Sequence, residues 1–270
     1  MCKDCGCGLE GGEVRIGGHA HDHEHHHHGH EHHHPHDHHH EHTEHSQAHG
    51  QTITLNRSLM EKNDRLAERN RGFFKAKILL VLNVVSSPGS GKTTFIRETA
   101  TRLAGKLRVG VIVGDLATDN DAAQLRTAGI PVVQITTGTV CHLDAEMVSK
   151  AAAQLDLDQV DVLIIENVGN LVCPADYDLG EDLRVVLLST TEGEDKPLKY
   201  PPMFHSAHVA IVTKSDLAAA AGFNRQQALA NLRRISHHAE IFELSAKTGE
   251  GMKAWVDFLV ARRSAYGSSL

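Results

Sequence analysis

Cysteine and histidine, the side chains that bind soft and borderline metal ions, are concentrated at the start of this chain of 270 residues. Three thiols follow the order Cys2-x-x-Cys5-x-Cys7, and glycines beside them allow a short peptide to wrap around one ion. Clustered thiols that bound no metal ion would be open to oxidation. The spacing therefore favours a thiolate site for Ni²⁺, Zn²⁺ or Cu⁺.

A histidine-rich tract follows these thiols. Eighteen of the 31 residues from His19 to His49 are histidine, and six acidic residues stand among them. Imidazole is largely neutral at pH 7 and is a common metal ligand, so the tract predicts binding of many ions. It has almost no apolar surface and is expected to be disordered without metal. A solvated linker without a role is the alternative.

A phosphate-binding loop is indicated next. The apolar run 77–85 leads directly into Ser86-Ser87-Pro88-Gly89-Ser90-Gly91-Lys92-Thr93-Thr94, and a helical pattern follows. The strict loop pattern has glycine where this chain has Ser86. Backbone N–H groups and the helix N-terminus would face the phosphates. We assign nucleotide binding to Gly89, Ser90, Gly91, Lys92, Thr93 and Thr94, with Lys92 on the β- and γ-phosphates and Thr93 on Mg²⁺.

The base is predicted to be guanine. Thr213-Lys214-Ser215-Asp216 is similar to the Asn-Lys-x-Asp motif of GTPases, with threonine in place of asparagine. The carboxylate of Asp216 can accept both N1–H and the N2 amino group, a donor pair that adenine lacks. The stem of Lys214 can lie over the base. Ser245-Ala246-Lys247 resembles the loop whose backbone N–H meets guanine O6. GTP is therefore favoured over ATP.

Two acidic residues stand where Mg²⁺ and the γ-phosphate are expected. Asp115 follows one apolar run, and Glu166 opens the string Glu166-Asn167-Val168-Gly169 after another. Mg²⁺ takes one or two carboxylates together with water and phosphate oxygens. The N–H of Gly169 could sense the γ-phosphate. We assign catalytic roles to Lys92, Asp115, Glu166 and Gly169, with helix or turn capping as the alternative for the two acids. No water-positioning residue is evident, which fits slow hydrolysis.

A second candidate metal site lies inside the folded part. Cys141-His142 and Cys173-Pro174 both follow predicted strands, close to the expected γ-phosphate. Two thiolates and an imidazole suit Ni²⁺ or Zn²⁺, and the residues leave the choice open. A symmetric dimer could supply a second set. Surface or core roles are predicted for the remaining histidines, which have no identifiable ligand partner: His205, His208, His237 and His238.

The elements that position these residues alternate along the chain. Strands are predicted at 77–85, 107–113, 131–135, 161–165, 183–188, 208–212 and 239–244. Helices are predicted at 56–71, capped by Asn56 and ended by Gly72, and at 92–104, 143–155, 225–235 and 251–262. This order predicts an α/β fold, a mostly parallel sheet covered by helices on both faces, of the P-loop NTPase type. Ligands then bind beyond the carboxyl ends of the strands.

Composition indicates the domain organisation and argues against several classes of protein: nucleic-acid-binding, membrane-spanning and secreted. Residues 1–50 carry the whole net charge of −7, so residues 51–270 are neutral overall. We predict a Cys/His-rich metal-binding tail over 1–50 and one GTPase domain over 51–270. A neutral domain, in a chain with only 4% aromatic residues, does not suggest nucleic acid. The chain has no membrane-length apolar run and no secretory signal, so a cytoplasmic protein without a disulfide framework is expected.

These strings resemble the hydrogenase nickel-incorporation GTPases, metallochaperones of the SIMIBI class. The resemblance is carried by the N-terminal thiols, the histidine insert, the phosphate loop and, most specifically, by 137–143 (Thr-Gly-Thr-Val-Cys-His-Leu) and 166–174 (Glu-Asn-Val-Gly-Asn-Leu-Val-Cys-Pro). It implies a nucleotide-controlled homodimer that delivers nickel to a [NiFe]-hydrogenase large subunit, with a second nickel accessory protein. It also implies that Cys141, His142 and Cys173 form the metal site of the GTPase domain, and that Cys2, Cys5 and Cys7 form a separate nickel site.

Two other functions remain as alternatives. The urease accessory GTPases share the fold, but their metal motif is Cys-Pro-His, whereas here Cys141-His142 and Cys173-Pro174 stand apart. A metal-storage protein with a vestigial nucleotide site is the other alternative. The intact Lys92-Thr93 pair, Asp115 and Glu166 argue against it.

Overall fold

The computed structural model describes residues 15–16 and 47–267, with side chains from 58 to 266. Within these residues, the strands are β1 (Arg15–Ile16), β2 (Leu80–Ser86), β3 (Val109–Asp115), β4 (Val132–Thr136), β5 (Val162–Glu166), β6 (Leu183–Ser189), β7 (Val209–Thr213) and β8 (Glu240–Glu243). The helices are α1 (Gln47–Ala76), α2 (Lys92–Leu103), α3 (Asn120–Thr127), α4 (Ala145–Ala152), α5 (Lys196–Lys199), α6 (Pro201–His205), α7 (Arg225–Ile235) and α8 (Met252–Gly267).

The strands form one sheet in the order β1-β4-β3-β5-β2-β6-β7-β8. The seven strands from β2 to β8 are parallel, and β1 pairs antiparallel with β4 at the edge. The predicted α/β class and all seven predicted strands are confirmed. Strand β1 and the helices α3, α5 and α6 were missed, because such short elements carry little periodicity.

The central strand β2 is buried on both faces, which explains its unbroken apolar sequence. Leu82 and Val84 lie in a core cluster with Phe95 of α2 and Trp255 of α8. The alternate residues Val81 and Val85 belong to two separate clusters, one including side chains of α1 and α4 and the other of α6 and α7. Helices therefore cover both faces of the sheet, as the alternation of elements predicts.

Helix α1 differs from its predicted bounds. It begins at Gln47 and ends at Ala76, so that Asn56 does not cap it and Gly72 does not end it. An interior glycine costs roughly 1 kcal/mol, which burial of Phe74 beyond it can offset. The helix ends where Ile78 takes a left-handed backbone conformation, with φ 55°. The metal-binding tail predicted for residues 1–50 lies outside the described residues, apart from β1 and the first residues of α1.

The carboxyl ends of the parallel strands meet at one edge of the sheet. β2 ends at Ser86, β3 at Asp115, β5 at Glu166 and β7 at Thr213, each beside a predicted site motif. The sheet topology thus brings those motifs to a common edge. No helix among the described residues has the length and apolar character needed to cross a membrane.

Candidate nucleotide and metal site

The phosphate loop connects β2 to the N-terminus of α2. Gly89 and Gly91 have φ of 74° and 94°, a conformation that side chains with a Cβ rarely adopt. Gly91 is the N-cap of α2, and Lys92 is its first residue. The loop therefore directs its backbone N–H groups and the positive end of the helix dipole to one place, as a phosphate site requires.

Ser86, the residue that departs from the strict loop pattern, lies beneath this loop. Its buried hydroxyl oxygen accepts a hydrogen bond from Nζ of Lys92 at 3.1 Å and forms a short hydrogen bond with the hydroxyl of Ser90. Burial lowers the pKa of Lys92, although the nearby carboxylate of Glu166 opposes the shift. The serine thus provides an internal partner for the lysine.

Glu166 lies beside Thr93 at the base of the loop. The hydroxyl of Thr93 donates to Oε1 of Glu166 at 2.8 Å, and the glutamate side chain is only 2% exposed. Burial raises the pKa of Glu166 to about 7, against the opposing charge of Lys92. Its other oxygen, Oε2, is buried with no hydrogen-bond partner among the described residues. A hydroxyl beside an unsatisfied carboxylate fits the oxygen-ligand preference of Mg²⁺.

Asp115 ends β3, and its charge acts on Glu166. Its Oδ2 accepts from the backbone N–H of Thr118 at 2.9 Å and from the Thr118 hydroxyl at 2.5 Å. Partial burial raises the pKa of Asp115, but these hydrogen bonds outweigh it and leave the pKa below its ordinary value. The aspartate is therefore charged at neutral pH, and its field reaches Lys92 and Glu166.

Two further acidic residues contribute to the electrostatics of this site, and the sequence analysis did not identify them. Asp121, in the first turn of α3, contributes to the electrostatics of both Lys92 and Glu166. Glu192 follows β6, and burial raises the pKa of its carboxyl despite nearby lysines, among them Lys214 and Lys92. Neither acid belongs to a recognisable motif, so only the tertiary arrangement reveals them.

The predicted base-binding residues line one cavity of about 190 Å³ beside the phosphate loop. Ser245 donates to Oδ1 of Asp216 at 2.6 Å, which joins the loops after β7 and β8. Nζ of Lys214 donates to the carbonyl of Gly89 at 2.7 Å. The lining comprises Ser90, Gly91, Thr94, Phe95, Thr213, Lys214, Asp216, Leu217, Leu244, Ser245, Ala246 and Lys247.

Thr213, which replaces asparagine in the guanine motif, still contacts the phosphate loop. Its hydroxyl donates to the carbonyl of Ser90 at 3.3 Å. The contact requires only a hydrogen-bond donor at the end of β7, which threonine supplies. The two departures from the general GTPase motifs, Ser86 and Thr213, thus both make hydrogen bonds within the site.

The loop after Glu166 packs directly on the phosphate loop. A Cβ placed on Gly169 would lie 3.0 Å from Cα of Pro88, so the lack of a side chain allows this approach without displacing Pro88. On the neighbouring strand, a Cβ on Gly114 would lie 2.8 Å from the side chain of Leu143. The two glycines let the loops that carry Cys173 and Cys141 approach the centre of the site.

The three predicted metal ligands of the domain converge. Sγ of Cys141 lies 3.0 Å from Sγ of Cys173, and neither thiol forms a disulfide. Ligand atoms of these cysteines and of His142 all lie within 4.8 Å of one another, and no other such group occurs among the described residues. Two sulfurs and one nitrogen form a ligand set suited to Ni²⁺ or Zn²⁺.

His142 is held in an orientation that suits a neutral ligand. Its ring is 8% exposed and stacks on Tyr177, with centroids 3.9 Å apart and an interplanar angle of 26°. Burial lowers the pKa of the imidazole, although Asp144 and Asp176 oppose the shift. Nδ1 is buried with no hydrogen-bond partner among the residues described. Tyr177 had no sequence signal, because stacking depends on a contact across two loops.

The metal and nucleotide loops share a buried polar network. Oδ1 of Asn167 accepts from the backbone N–H of Leu143 at 3.3 Å, and its Nδ2 donates to Oδ1 of Asn83 at 3.2 Å. Asn83 donates in turn to Oε1 of Glu181 at 3.1 Å. Arg184 pairs with Glu181 and donates to backbone carbonyls of the loop that follows Cys173. The network thus links both metal-bearing loops to the strand end at Glu166.

Of the predicted metal ligands, Cys2, Cys5, Cys7 and the tract His19–His49 lie outside the described part of the chain, except for the last residues of the tract. His205, His208, His237 and His238 are exposed, so of the two predicted roles, surface or core, the structure gives the surface.

Comparison with known proteins identifies the family of this chain. Residues 80–243 match the family model described as the CobW/HypB/UreG nucleotide-binding domain. This chain belongs to that family. The matched span runs from the phosphate loop through the metal ligands and the Lys214–Asp216 motif, and it identifies these residues as part of a nucleotide-binding domain.

Within the family the similarity is to HypB. The hydrogenase maturation factor HypB of Escherichia coli K12 is 51% identical over 207 residues, which cover 77% of this chain and 71% of that protein. The hydrogenase/urease maturation factor HypB of Helicobacter hepaticus is 40% identical over 218 residues, covering 79% and 89%. The expected resemblance to hydrogenase nickel-incorporation proteins is confirmed.

A solved HypB structure has the same fold. The crystal structure of HypB from Helicobacter pylori in complex with nickel matches with a TM-score of 0.73 at 40% identity. The match covers 76% of this chain but 96% of the other. The chain in that crystal structure therefore consists almost entirely of the matched region.

Proposed function

We propose that this protein is a GTP-hydrolysing nickel metallochaperone that acts in the maturation of [NiFe]-hydrogenase. The observation that carries the proposal is the convergence of Cys141, His142 and Cys173 at the sheet edge that also holds Lys92 and Glu166. Its HypB relatives are named hydrogenase maturation factors, and one was solved in complex with nickel. Both facts support nickel as the cargo.

GTP is the proposed substrate because of the arrangement around Asp216. Its carboxylate lies in the cavity beside the phosphate loop, where it can accept the paired N–H donors of guanine. Lys92 would bind the β- and γ-phosphates, and the backbone of Gly89, Ser90 and Gly91 would surround them. Mg²⁺, when bound, would neutralise developing charge on the phosphates. Thr93, Asp115 and Glu166 supply the oxygen atoms to hold or orient it.

The proposed coupling between nucleotide and metal runs through the loop from Glu166 to Cys173. Gly169 touches the phosphate loop and Cys173 bears a metal-binding thiol, so a shift at one end of the loop alters the other. GTP would order this loop and favour binding of Ni²⁺, and hydrolysis would loosen the ligands. A nucleotide can change metal affinity only if it binds the two states of the loop differently.

We further propose a homodimer controlled by the nucleotide, which transfers nickel to the hydrogenase large subunit with the help of a second nickel accessory protein. Action in the cytoplasm would keep Cys141 and Cys173 reduced. The organisation that we propose is a metal-binding tail over 1–50, with Cys2, Cys5 and Cys7 as a separate nickel site, and a GTPase domain over 51–270. The site residues leave zinc as a competing ion.

A urease accessory role is the second candidate function, and one comparison favours it. The H. hepaticus relative is named a hydrogenase/urease maturation factor, so one HypB-like protein has both names. Against it, the proline of this chain follows Cys173, whereas the histidine follows Cys141. The nickel-donor role would be the same in both cases, and only the recipient enzyme would differ. Metal storage with a vestigial nucleotide site is the third candidate.

The decisive experiment measures Ni²⁺ affinity of a chain limited to residues 47–270, once with GDP and once with a non-hydrolysable GTP analogue. Tighter binding in one nucleotide state is expected. Cys173→Ser should abolish high-affinity binding in both states, and Lys92→Ala should make the two affinities equal. Repeating the titration with Zn²⁺ ranks the two metals. Equal affinities in the unsubstituted chain would refute the coupling, and absence of GTP turnover would favour the storage alternative.

A further inference from the structure

The two thiols of the candidate metal site lie in contact with each other. Sγ of Cys141 and Sγ of Cys173 are 3.0 Å apart, although 32 residues separate them along the chain. The S–S bond of a disulfide is about 2.05 Å long, so an approach of about 1 Å brings the two sulfurs to bonding distance. Both cysteines are only partly buried, which leaves their thiols accessible to a small oxidant.

Neither cysteine lies in a strand, so both are placed to make this small movement. Cys141 stands in the loop between β4 and α4, and Cys173 begins a single turn of 3-10 helix, Cys173–Ala175, in the loop after β5. Loops shift more easily than the strands that they connect. A displacement of about 1 Å, shared between the two side chains and their loops, leaves the paired strands in place.

A side chain outside the thiol pair holds the two loops together. Nδ2 of Asn170 donates to the carbonyl of Cys141 at 3.3 Å. Oδ1 of the same amide accepts the N–H of Val172, the residue before Cys173, at 2.9 Å. One amide thus connects the backbone of Cys141 with the segment that bears Cys173. The closeness of the two sulfurs is therefore set in part by contacts that involve neither sulfur.

We infer that Cys141 and Cys173 are a site of reversible oxidation, at which a peroxide converts the two thiols into one disulfide. With hydrogen peroxide, one sulfur takes an oxygen atom as the O–O bond breaks, which gives a sulfenic acid and one water. The second sulfur then attacks the first, the S–O bond breaks, and a second water leaves. The thiol pair loses two electrons and both thiol protons, and the peroxide is reduced to water. A dithiol reductant reverses the reaction by thiol–disulfide exchange.

The disulfide acts as a switch on the metal site. Both sulfurs enter the new bond, and a metal binds the thiolate form of cysteine, so that only His142 of the three ligand residues stays available. In the cytoplasm such a bond is transient and reports oxidation. Metal uptake stops when the pair is oxidised and resumes after reduction. This consequence rests on the proposed metal function, whereas formation of the disulfide does not.

The test uses the full chain with Cys2→Ser, Cys5→Ser and Cys7→Ser, so that only Cys141 and Cys173 carry thiols. A slight excess of hydrogen peroxide should remove both thiols together in a thiol assay and lower the mass of the intact chain by about 2 Da. Trypsin should then release peptide 127–150 joined to peptide 151–184 until a dithiol reductant is added. The oxidised chain should run as a monomer in denaturing electrophoresis without reductant.

Equilibration with reduced and oxidised glutathione measures how well the fold suits the bond. The folded chain should keep the disulfide against at least about tenfold more reducing mixtures than the chain in urea, because packing already brings the sulfurs together. Cys173→Ser in the same background is the control, since its single thiol should stop at the sulfenic acid or link two chains. Links only between chains, over-oxidation without a disulfide, or equal equilibria in the folded chain and in urea would overturn the inference.

Zinc tests the link to metal binding separately. Zn²⁺ has no redox chemistry, and in excess over the capacity of the histidine tract it should slow the reaction with peroxide by binding the two thiolates. Equal rates with and without Zn²⁺ would overturn the switch on the metal site. Failure of the disulfide and failure of the proposed metal function are therefore distinguished by different measurements.

Discussion

The side chain of Asn167 binds the backbone of Leu143: its Oδ1 accepts the Leu143 N–H at 3.3 Å. Asn167 directly follows Glu166, and Leu143 directly follows His142. The same oxygen accepts the N–H of Val168 at 2.9 Å. One buried amide therefore connects the end of the strand that bears Glu166 with the loop that bears Cys141 and His142.

Asn167→Ala is expected to weaken the coupling between the two sites. Without the amide, the Leu143 N–H loses its partner, and a nucleotide-induced shift at Glu166 is no longer transmitted. The ratio of Ni²⁺ affinities with GTP analogue and with GDP should fall towards one, measured by competition with a coloured chelator. Asn231→Ala is the control, because Asn231 is also buried but donates to the backbone carbonyl of Glu194, in a segment that bears no metal ligand. An unchanged ratio in Asn167→Ala would count against this path.

Asp216→Asn is expected to change base specificity. The carboxylate accepts two guanine donors, whereas an amide can accept one and must donate to the other position. GTP affinity should fall about a hundredfold, as loss of a charged hydrogen-bond acceptor to the base predicts. Xanthosine triphosphate, which has a carbonyl at C2, should regain affinity. Fluorescent nucleotide titration measures both, with the exposed Asp119→Asn as control. Equal weakening for both nucleotides would argue against the predicted base contact.

Thr93→Ala is expected to remove the Mg²⁺ dependence of nucleotide binding. The Thr93 hydroxyl, which contacts Glu166 at 2.8 Å, is the proposed metal-orienting group. GTP turnover should fall about tenfold or more, since several oxygen ligands hold Mg²⁺ and one is lost. Thr93→Ser keeps the hydroxyl and should retain most activity. A phosphate-release assay across a range of Mg²⁺ concentrations distinguishes them. Equal loss in both variants would show that the methyl group is what matters.

The stability of the nucleotide-free protein should depend on pH through Glu166. Its pKa is raised from 4.5 to about 7, so the folded state holds the proton more tightly than the unfolded state. Stability from this group is present below the unfolded pKa and is lost as pH rises through the folded pKa. Glu166→Gln should therefore raise the melting temperature by a few degrees at about pH 8 and much less at about pH 5. Thermal denaturation at both pH values measures this. Glu240→Gln, at an exposed position, is the control, and an equal gain at both values would contradict the assignment.

Deletion of residues 19–49 is expected to reduce the number of bound metal ions while leaving GTP turnover intact. The tract supplies many imidazoles without a fixed geometry and keeps ions near the domain by tethering. Metal content after equilibrium dialysis and phosphate release measure the two quantities. A version with glutamine in place of each histidine controls for chain length. A large fall in turnover would show that the tract does more than store metal.

Much of the nucleotide site follows from local sequence. A buried strand, a glycine-rich loop and a helix in direct succession place Lys92 and Thr93 wherever the rest of the chain folds. The parallel alternation of strands and helices likewise brings Asp115 and Glu166 to the same edge of the sheet. The bounds of α1 were predicted less well, because burial of Phe74 outweighs the helix-breaking tendency of Gly72.

The sequence by itself determined the kinds of side chain available for nucleotide and metal and the strands after which they stand. Only the tertiary structure decided that Sγ of Cys141 and Sγ of Cys173, 32 residues apart, lie at 3.0 Å. It also decided that burial raises the pKa of Glu166 and that His142 stacks on Tyr177. The physical reason is that a motif depends on neighbours along the chain, whereas burial, stacking and side-chain hydrogen bonds depend on packing between distant elements.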